Sequence, residues 1–419
     1  MKSPSSSLQL LWSVYKSTPL ETDEIPQSEL NLDSSRNTNP LRYRGQFSPD
    51  LAGRLIGEYT SEKDVLYDPF LGCGTTIYEG IARNLESYGT EINTAGVEMA
   101  RLAEFVSVPK EKRESICSEA VSIANQLADP NQSKLGGNSV QYAHQGELKK
   151  RVVASIQESE FSDLVRSLLV NGLMEWDYTS GEKSDSFPED VKIFSEFVKE
   201  LPYTTSNTLG IFHRDCRFVP LPSNSIDFVL TSPPYINVHN YHQHHRDSIE
   251  EFGWDILQMA KSEFGSNRKN RQNRFKTVVQ FAIDTAQVFS ELRRVLHNSG
   301  RMIFVVGRTS TVRGVQFNNG QFITAIGILS GFDLDTRQER VYQNNFGEEI
   351  YEDILHFTKD AEQTQPQSSI TPEEFGREVL RHKLEEEPIQ EDVRSDIESA
   401  MTSASPQPSP VLYGPTKQK

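Results

Sequence analysis

The chain has 419 residues, enough for one large or two ordinary domains, with 36% hydrophobic and 24% charged residues, the balance of a water-soluble globular protein. No apolar run reaches the length of a membrane span, the N-terminal residues lack the apolar core and cleavage site of a signal peptide, and the three cysteines, Cys73, Cys117 and Cys216, have no metal or disulfide spacing. The expected setting is therefore cytoplasmic. A formal net charge of -16 argues against a chain coated in phosphate contacts, but the sum hides its distribution. Acidic runs gather near the C-terminus, whereas Gly265 to Lys276 reads GSNRKNRQNRFK and holds no carboxylate.

In chain order, residues 1–35 are rich in Ser, Pro and Glu and read as a flexible arm. The stretch 36–359 then alternates: DVLYDPF as strand, TTIYEGIARNL as helix, SYGTEIN as strand, TAGVEMARLAEFV as helix. TLGIFHRDC and SIDFVLTSPPY follow as strands, FKTVVQFAIDTAQVFSELRRVL as helix, and RMIFVVG as strand. After the helical QFITAIGILSGF, the runs LDTRQERVY and EIYEDILHFTK are spaced to pair as an antiparallel hairpin. This alternation predicts an α/β fold, a doubly wound and mostly parallel sheet covered on both faces. Two insertions interrupt it, a helical one at 109–206 and a basic one at 236–276, while 360–419 reads as a largely disordered acidic tail with a short helix from Pro372 to about Glu387.

Two short motifs carry chemistry. In Asp68 to Thr76 a strand runs into Asp-Pro-Phe, Gly72 and Gly74 lie one residue apart, and Thr75 and Thr76 open a helix. Glycines let backbone approach a ligand, the helix start points N–H groups at it, and Glu91, about 20 positions on at the end of the next strand, stands where an acid would hold ribose hydroxyls. No Gly-Lys-Ser/Thr follows, so this is not a phosphate loop, and Ile77 replaces the third glycine of a dinucleotide site. In Ser232-Pro233-Pro234-Tyr235 two prolines stop a strand and fix an extended loop. A hydroxyl and a free carbonyl beside an aromatic face suit an exocyclic amine on a flat ring.

Together, in this order, the two motifs resemble those of S-adenosylmethionine-dependent amino-methyltransferases acting on DNA; YRGQFSPDLAGRLI and FSELRRVLHNSGRMIFVVG are similar to flanking segments of that family. The resemblance implies the class I methyltransferase Rossmann-like fold and S-adenosylmethionine as cofactor. It implies that Asp68, Phe70, Gly72, Gly74, Thr75 and Thr76 line the methionine end of the cofactor, that Glu91 binds the ribose, and that Asp215 accepts from the adenine amine. Ser232, Pro233, Pro234 and Tyr235 would hold a flipped base. Ser before Pro-Pro-Tyr is typical of N4-cytosine enzymes, with N6-adenine enzymes and, more distantly, RNA amino-methyltransferases as the alternatives. The expected partner is double-stranded DNA, contacted by Arg268, Lys269, Arg271 and Arg274, with a cognate restriction endonuclease as a further expectation and the oligomeric state open. His239, His242, His244 and His245 lack companion ligands in metal spacing, so no metal is expected.

Overall fold

The computed structural model describes residues 4–31, 40, 42–43, 45–129, 141–179, 186–204, 208–236, 241–243, 245–265, 270, 272–343, 347–359, 370–386 and 388–414. Nine strands are present among them: β1 Val65–Asp68, β2 Glu86–Glu91, β3 Leu209–His213, β4 Ile226–Thr231, β5 Leu296–Gly307, β6 Thr309–Val312, β7 Val315–Asn318, β8 Phe332–Gln343 and β9 Glu349–Lys359. Seven form one sheet in the order β3-β2-β1-β4-β5-β9-β8, and β6 and β7 make a separate hairpin. The first five are parallel to one another, β9 runs antiparallel between β5 and β8, and the expected α/β sheet with its antiparallel pair is therefore what forms.

The inner strands are apolar because both faces are covered. Leu66 and Phe228 pack with Leu51, Leu55 and Ile56 of the helix Pro49–Tyr59 on one face, while Tyr67 and Val229 join a larger core with the helix Lys276–Val295 on the other. Strand order reverses between β1 and β4, so the carboxyl ends of those two strands open a crevice where loops can hold a ligand. The helical insertion supplies the helices Lys110–Ala128, Gln141–Glu158, Asp163–Thr179 and Phe187–Glu200, which share a core with the helix Thr94–Ala100 and with Ile249, Trp254 and Met259 of the second insertion. Arg113 is fully buried there and donates to the carbonyls of Val106, Val108, Val198, Leu201 and Pro202, tying both ends of the insertion together.

Two expectations differ from the structure. The arm at 1–35 holds the helix Pro4–Ser17, which buries Leu8, Leu11, Trp12 and Tyr15 in the main core; Tyr15 donates to Asp353 over 2.8 Å. The tail at 360–419 holds the expected helix, Pro372–Glu386, but also the helix Glu391–Thr402, and it is docked rather than disordered, with Phe375, Val379, Leu380, Val393 and Ile397 in the same core. In both places the average composition is polar while a narrow apolar stripe at helical spacing docks the segment.

Candidate cofactor and substrate site

At the switch point lies a cavity of about 920 Å³ including its open mouth. Its wall takes Asp68, Phe70, Gly72 and Thr75 from the first motif, Glu91 from the end of β2, Arg214 to Cys216 after β3, and Ser232 and Pro234 after β4. Sequence positions far apart are thus brought to one crevice by the parallel strands.

The loop after β1 is shaped by its glycines. Gly72 has φ +55° and Gly74, which caps the helix Thr75–Ala82, has φ +98°; both lie in the left-handed region that side chains resist. Glu91 fastens this loop: its carboxylate accepts from the Gly72 N–H at 2.8 Å and from the Asn93 N–H at 2.7 Å. Burial pushes the Glu91 carboxyl up to about 7 despite these two bonds. Both oxygens retain lone pairs for hydroxyl donors from the cavity. Gly74 and Thr76 do not line the cavity; one terminates the loop and the other is buried in the first helical turn.

Asp68 is almost wholly buried, and burial raises its carboxyl to about 6. One of its oxygens accepts from the Thr231 hydroxyl at 2.6 Å and from the Phe70 N–H at 2.9 Å. Thr231 is the last residue of β4, directly before Ser232, so this carboxylate links the starts of both motif loops.

Asp215 has a partner that the sequence did not announce. It reaches the cavity wall, yet its carboxylate is engaged by Arg217, with Nε to Oδ1 at 2.9 Å and Nη2 to Oδ2 at 2.6 Å. Its first role is to hold that buried guanidinium, because a charge removed from water needs a partner. In the Pro-Pro loop, Ser232 and Pro234 face the cavity, whereas Pro233 is buried and Tyr235 lies behind them. The Tyr235 hydroxyl is 3.4 Å from Ser232 Oγ, and its ring packs where Gly307 leaves room: a Cβ at Gly307 would sit 3.1 Å from Tyr235 Cε2.

Several wall residues were not singled out from sequence: Tyr43, Gln46, Phe47, Asn93, Tyr241 and Glu263 among them. Tyr43 and Tyr241 are near-parallel rings with centroids 6.5 Å apart. Asn93 Nδ2 donates to the Tyr241 carbonyl at 2.9 Å and joins the second insertion to the cofactor loop. Aromatic residues just before a capped helix and after the Pro-Pro loop were the available signal, but only the folded chain shows that they meet.

Of the basic run, Arg274 is exposed at the start of the helix Lys276–Val295, while Arg268, Lys269 and Arg271 lie outside the described residues. His239 and His244 also lie outside them, and so does the side chain of His242. His245 is buried, its ring nitrogens 3.2 Å from the Met174 carbonyl and 3.4 Å from that of Arg42. Among the described residues no group of three or more His, Cys, Asp or Glu could hold a metal, and no helix is long and apolar enough to cross a membrane.

The residues present fit S-adenosylmethionine. Gly72 keeps open a cradle in which a Cβ would come within 3.3 Å of Tyr43, an acid stands at the end of β2, and Ile92 and Cys216 offer apolar surface for a flat base. The family model agrees. Residues 8–102 match the model of a family described as DNA methylase. The Type II methyltransferase M.MvaI of Kocuria varians is 37% identical over 76 residues, 17% of this chain and 17% of that protein. The Type II methyltransferase M.BsoBI of Geobacillus stearothermophilus is 24% identical over 318 residues, 60% of each. The chain thus spans less than two thirds of the length of either relative. Among solved structures, a SAM-dependent methyltransferase of Methanosarcina mazei aligns at TM-score 0.33 and 9% identity, over 73% of this chain and 96% of that one. A TehB-like SAM-dependent methyltransferase of Corynebacterium glutamicum aligns at TM-score 0.28 and 9% identity, over 74% and 86%. The likeness to DNA methylases therefore resides first in the segment that carries the Asp68–Thr76 loop and Glu91.

Proposed function

We propose that the chain is a DNA amino-methyltransferase that moves a methyl group from S-adenosylmethionine to N4 of cytosine, in a cytoplasmic restriction–modification setting. The observation that carries this reading is the Asp68–Thr231 hydrogen bond, which sets a glycine loop with its ribose-type acid and a Ser-Pro-Pro-Tyr loop around one cavity.

The bound cofactor supplies an electrophilic methyl on a sulfonium. The rest is done by the chain. Glu91 takes the ribose hydroxyls and, through Gly72, fixes the loop beside the methionine portion. Ser232 Oγ accepts one hydrogen of the target amine and a carbonyl of the Pro-Pro loop accepts the other. Both acceptors draw the nitrogen lone pair out of ring conjugation, so it can form the new N–C bond as the S–C bond breaks. Transfer would leave the methyl donor as a neutral thioether, and the proton on nitrogen would pass to water. Tyr235, behind Ser232, orients that hydroxyl. A base stacked in a duplex cannot reach this cavity, so the target is flipped out. The Ser at 232, where N6-adenine relatives more often carry Asp or Asn, favours cytosine.

The test is incubation of the protein with methyl-labelled S-adenosylmethionine and mixed duplex DNA, then digestion to nucleosides and mass spectrometry. N4-methylcytosine is expected. N6-methyladenine would discard the Ser232 argument while keeping the mechanism, and label on RNA alone would overturn the substrate.

A further inference from the structure

The segment after the last helix does not trail away. Gln280 Nε2 donates to the Gln407 carbonyl at 2.8 Å, and Ser409 donates through its N–H and its hydroxyl to Asp284 at 2.8 and 2.5 Å. Arg217 Nη1 donates to the Ser409 carbonyl at 2.7 Å and Nη2 to that of Pro410 at 3.0 Å. The Leu412 carbonyl accepts from the Asp215 N–H at 2.9 Å, and the Leu412 side chain is 1% exposed. Tyr413 closes the run, its ring edge-on to Phe218 with centroids 5.4 Å apart and its carbonyl 3.4 Å from Arg214 Nη2.

Apart from Gln280, each of these partners belongs to, or braces, residues 214–218. That turn presents Arg214, Asp215 and Cys216 to the cavity, and the Arg214 N–H is bound to the Glu91 carbonyl at 3.0 Å. Arg217 is the joint between strap and wall: it is buried, it holds both oxygens of Asp215, and two of its remaining hydrogens end on the strap's carbonyls. Withdrawal of the strap would leave Arg217 with Asp215, Asp284 and Gln287 but without the Ser409 and Pro410 carbonyls, and the Asp215 N–H without the Leu412 carbonyl, which loosens the turn.

We propose that residues 407–413 are a positioning strap of the cofactor site, fixing the turn at 214–216 as the wall for the cofactor's adenine. This rests on the S-adenosylmethionine reading above. The strap touches no reacting atom; it acts through Arg217 and Asp215.

Leu412→Asp in the full chain places a charge in a buried slot and should release the strap. Isothermal titration with S-adenosylmethionine is expected to show an affinity at least tenfold below that of the unaltered chain. A synthetic peptide of residues 404–414 added in trans should restore it, and the KM for cofactor should rise while the KM for DNA holds. Hydrogen exchange read at the Asp215 amide, without any ligand, should speed in the variant and slow again with the peptide. Equal cofactor affinity in both proteins would overturn the strap. So would an affinity loss that the peptide does not restore, accompanied by a collapsed melting transition, since the segment would then be only part of the core. No binding by the unaltered chain would instead remove the cofactor reading, with the exchange result left to report the strap on its own.

Discussion

The cavity should bind a cation better as pH rises. Asp68 and Glu91 both line it, and burial lifts their carboxyls to about 6 and about 7. S-adenosylmethionine carries a sulfonium charge that a protonated carboxyl does not attract, and a protonated Glu91 cannot accept two ribose hydrogens. If both groups must be ionised in the complex, the ligand-free protein releases protons on binding, and the apparent affinity falls about 20-fold between pH 8 and pH 6. S-adenosylhomocysteine keeps the ribose but has lost the sulfonium charge, so the twofold share of Asp68 should drop out and its affinity should fall about tenfold over the same interval. Glu91→Gln removes the group that titrates near 7 and leaves roughly a twofold fall, from Asp68 alone. Isothermal titration from pH 5.5 to 8.5, with circular dichroism to show that the fold persists, gives all three curves. Flat curves, or curves of equal slope for the two ligands, would refute the reasoning, because the carboxylates would then not face the charge.

Other substitutions separate the parts of the site. Gly72→Asp puts a side chain at φ +55° against Tyr43 and should abolish cofactor binding, whereas Tyr235→Ala should keep that binding and lose methyl transfer; titration and a filter assay read the two. Gly307→Ala brings a methyl to 3.1 Å from the Tyr235 ring and should lower kcat about tenfold through a displaced Ser232, with cofactor affinity unchanged. Arg113→Ala strips the donor from five backbone carbonyls at the two ends of the helical insertion and should cost on the order of 4 kcal/mol in urea unfolding. Thr231→Val, nearly isosteric, leaves Asp68 without its hydroxyl donor and should cost about 1–2 kcal/mol while weakening both cofactor binding and turnover.

What the sequence made legible follows from how each signal is written. Parallel strands buried on both faces must be continuous apolar runs, so Val65–Asp68, Ile226–Thr231 and the centre of Leu296–Gly307 announce themselves. The loops after the first two are readable because glycine and proline are irreplaceable there. The helix Pro4–Ser17 was missed although Leu8, Leu11, Trp12 and Tyr15 repeat at helical spacing, because Ser and Pro around them dominate the composition. Asp215 was assigned from its place at a strand end, and nothing local reveals that Arg217, two residues on, would turn back to take both its oxygens. Tyr241, Glu263 and the strap at Ser409–Tyr413 are contacts across the fold between segments with no pattern of their own, so only the folded chain discloses them.

The Asp68–Thr231 bond also explains why the two motifs come as a pair. β1 and β4 are neighbours in register, Leu66 beside Phe228 and Tyr67 beside Val229, so their last residues emerge side by side. A cofactor loop and a substrate loop that begin one strand apart must hold their reacting centres in register to within a fraction of an ångström, and backbone pairing ends before either loop starts. A buried carboxylate accepting from the neighbouring strand's terminal hydroxyl supplies the missing tie. Its burial penalty shows in a carboxyl raised to about 6, and the tie is strongest when that group is ionised. Acid should therefore loosen both loops together, and the pH at which turnover declines should move with the Asp68 carboxyl: Thr231→Val, which removes a bond favouring the ionised form, should shift the acidic limb of the kcat profile to higher pH. A limb left in place by that substitution would mean that the two loops are held in register by something other than this bond.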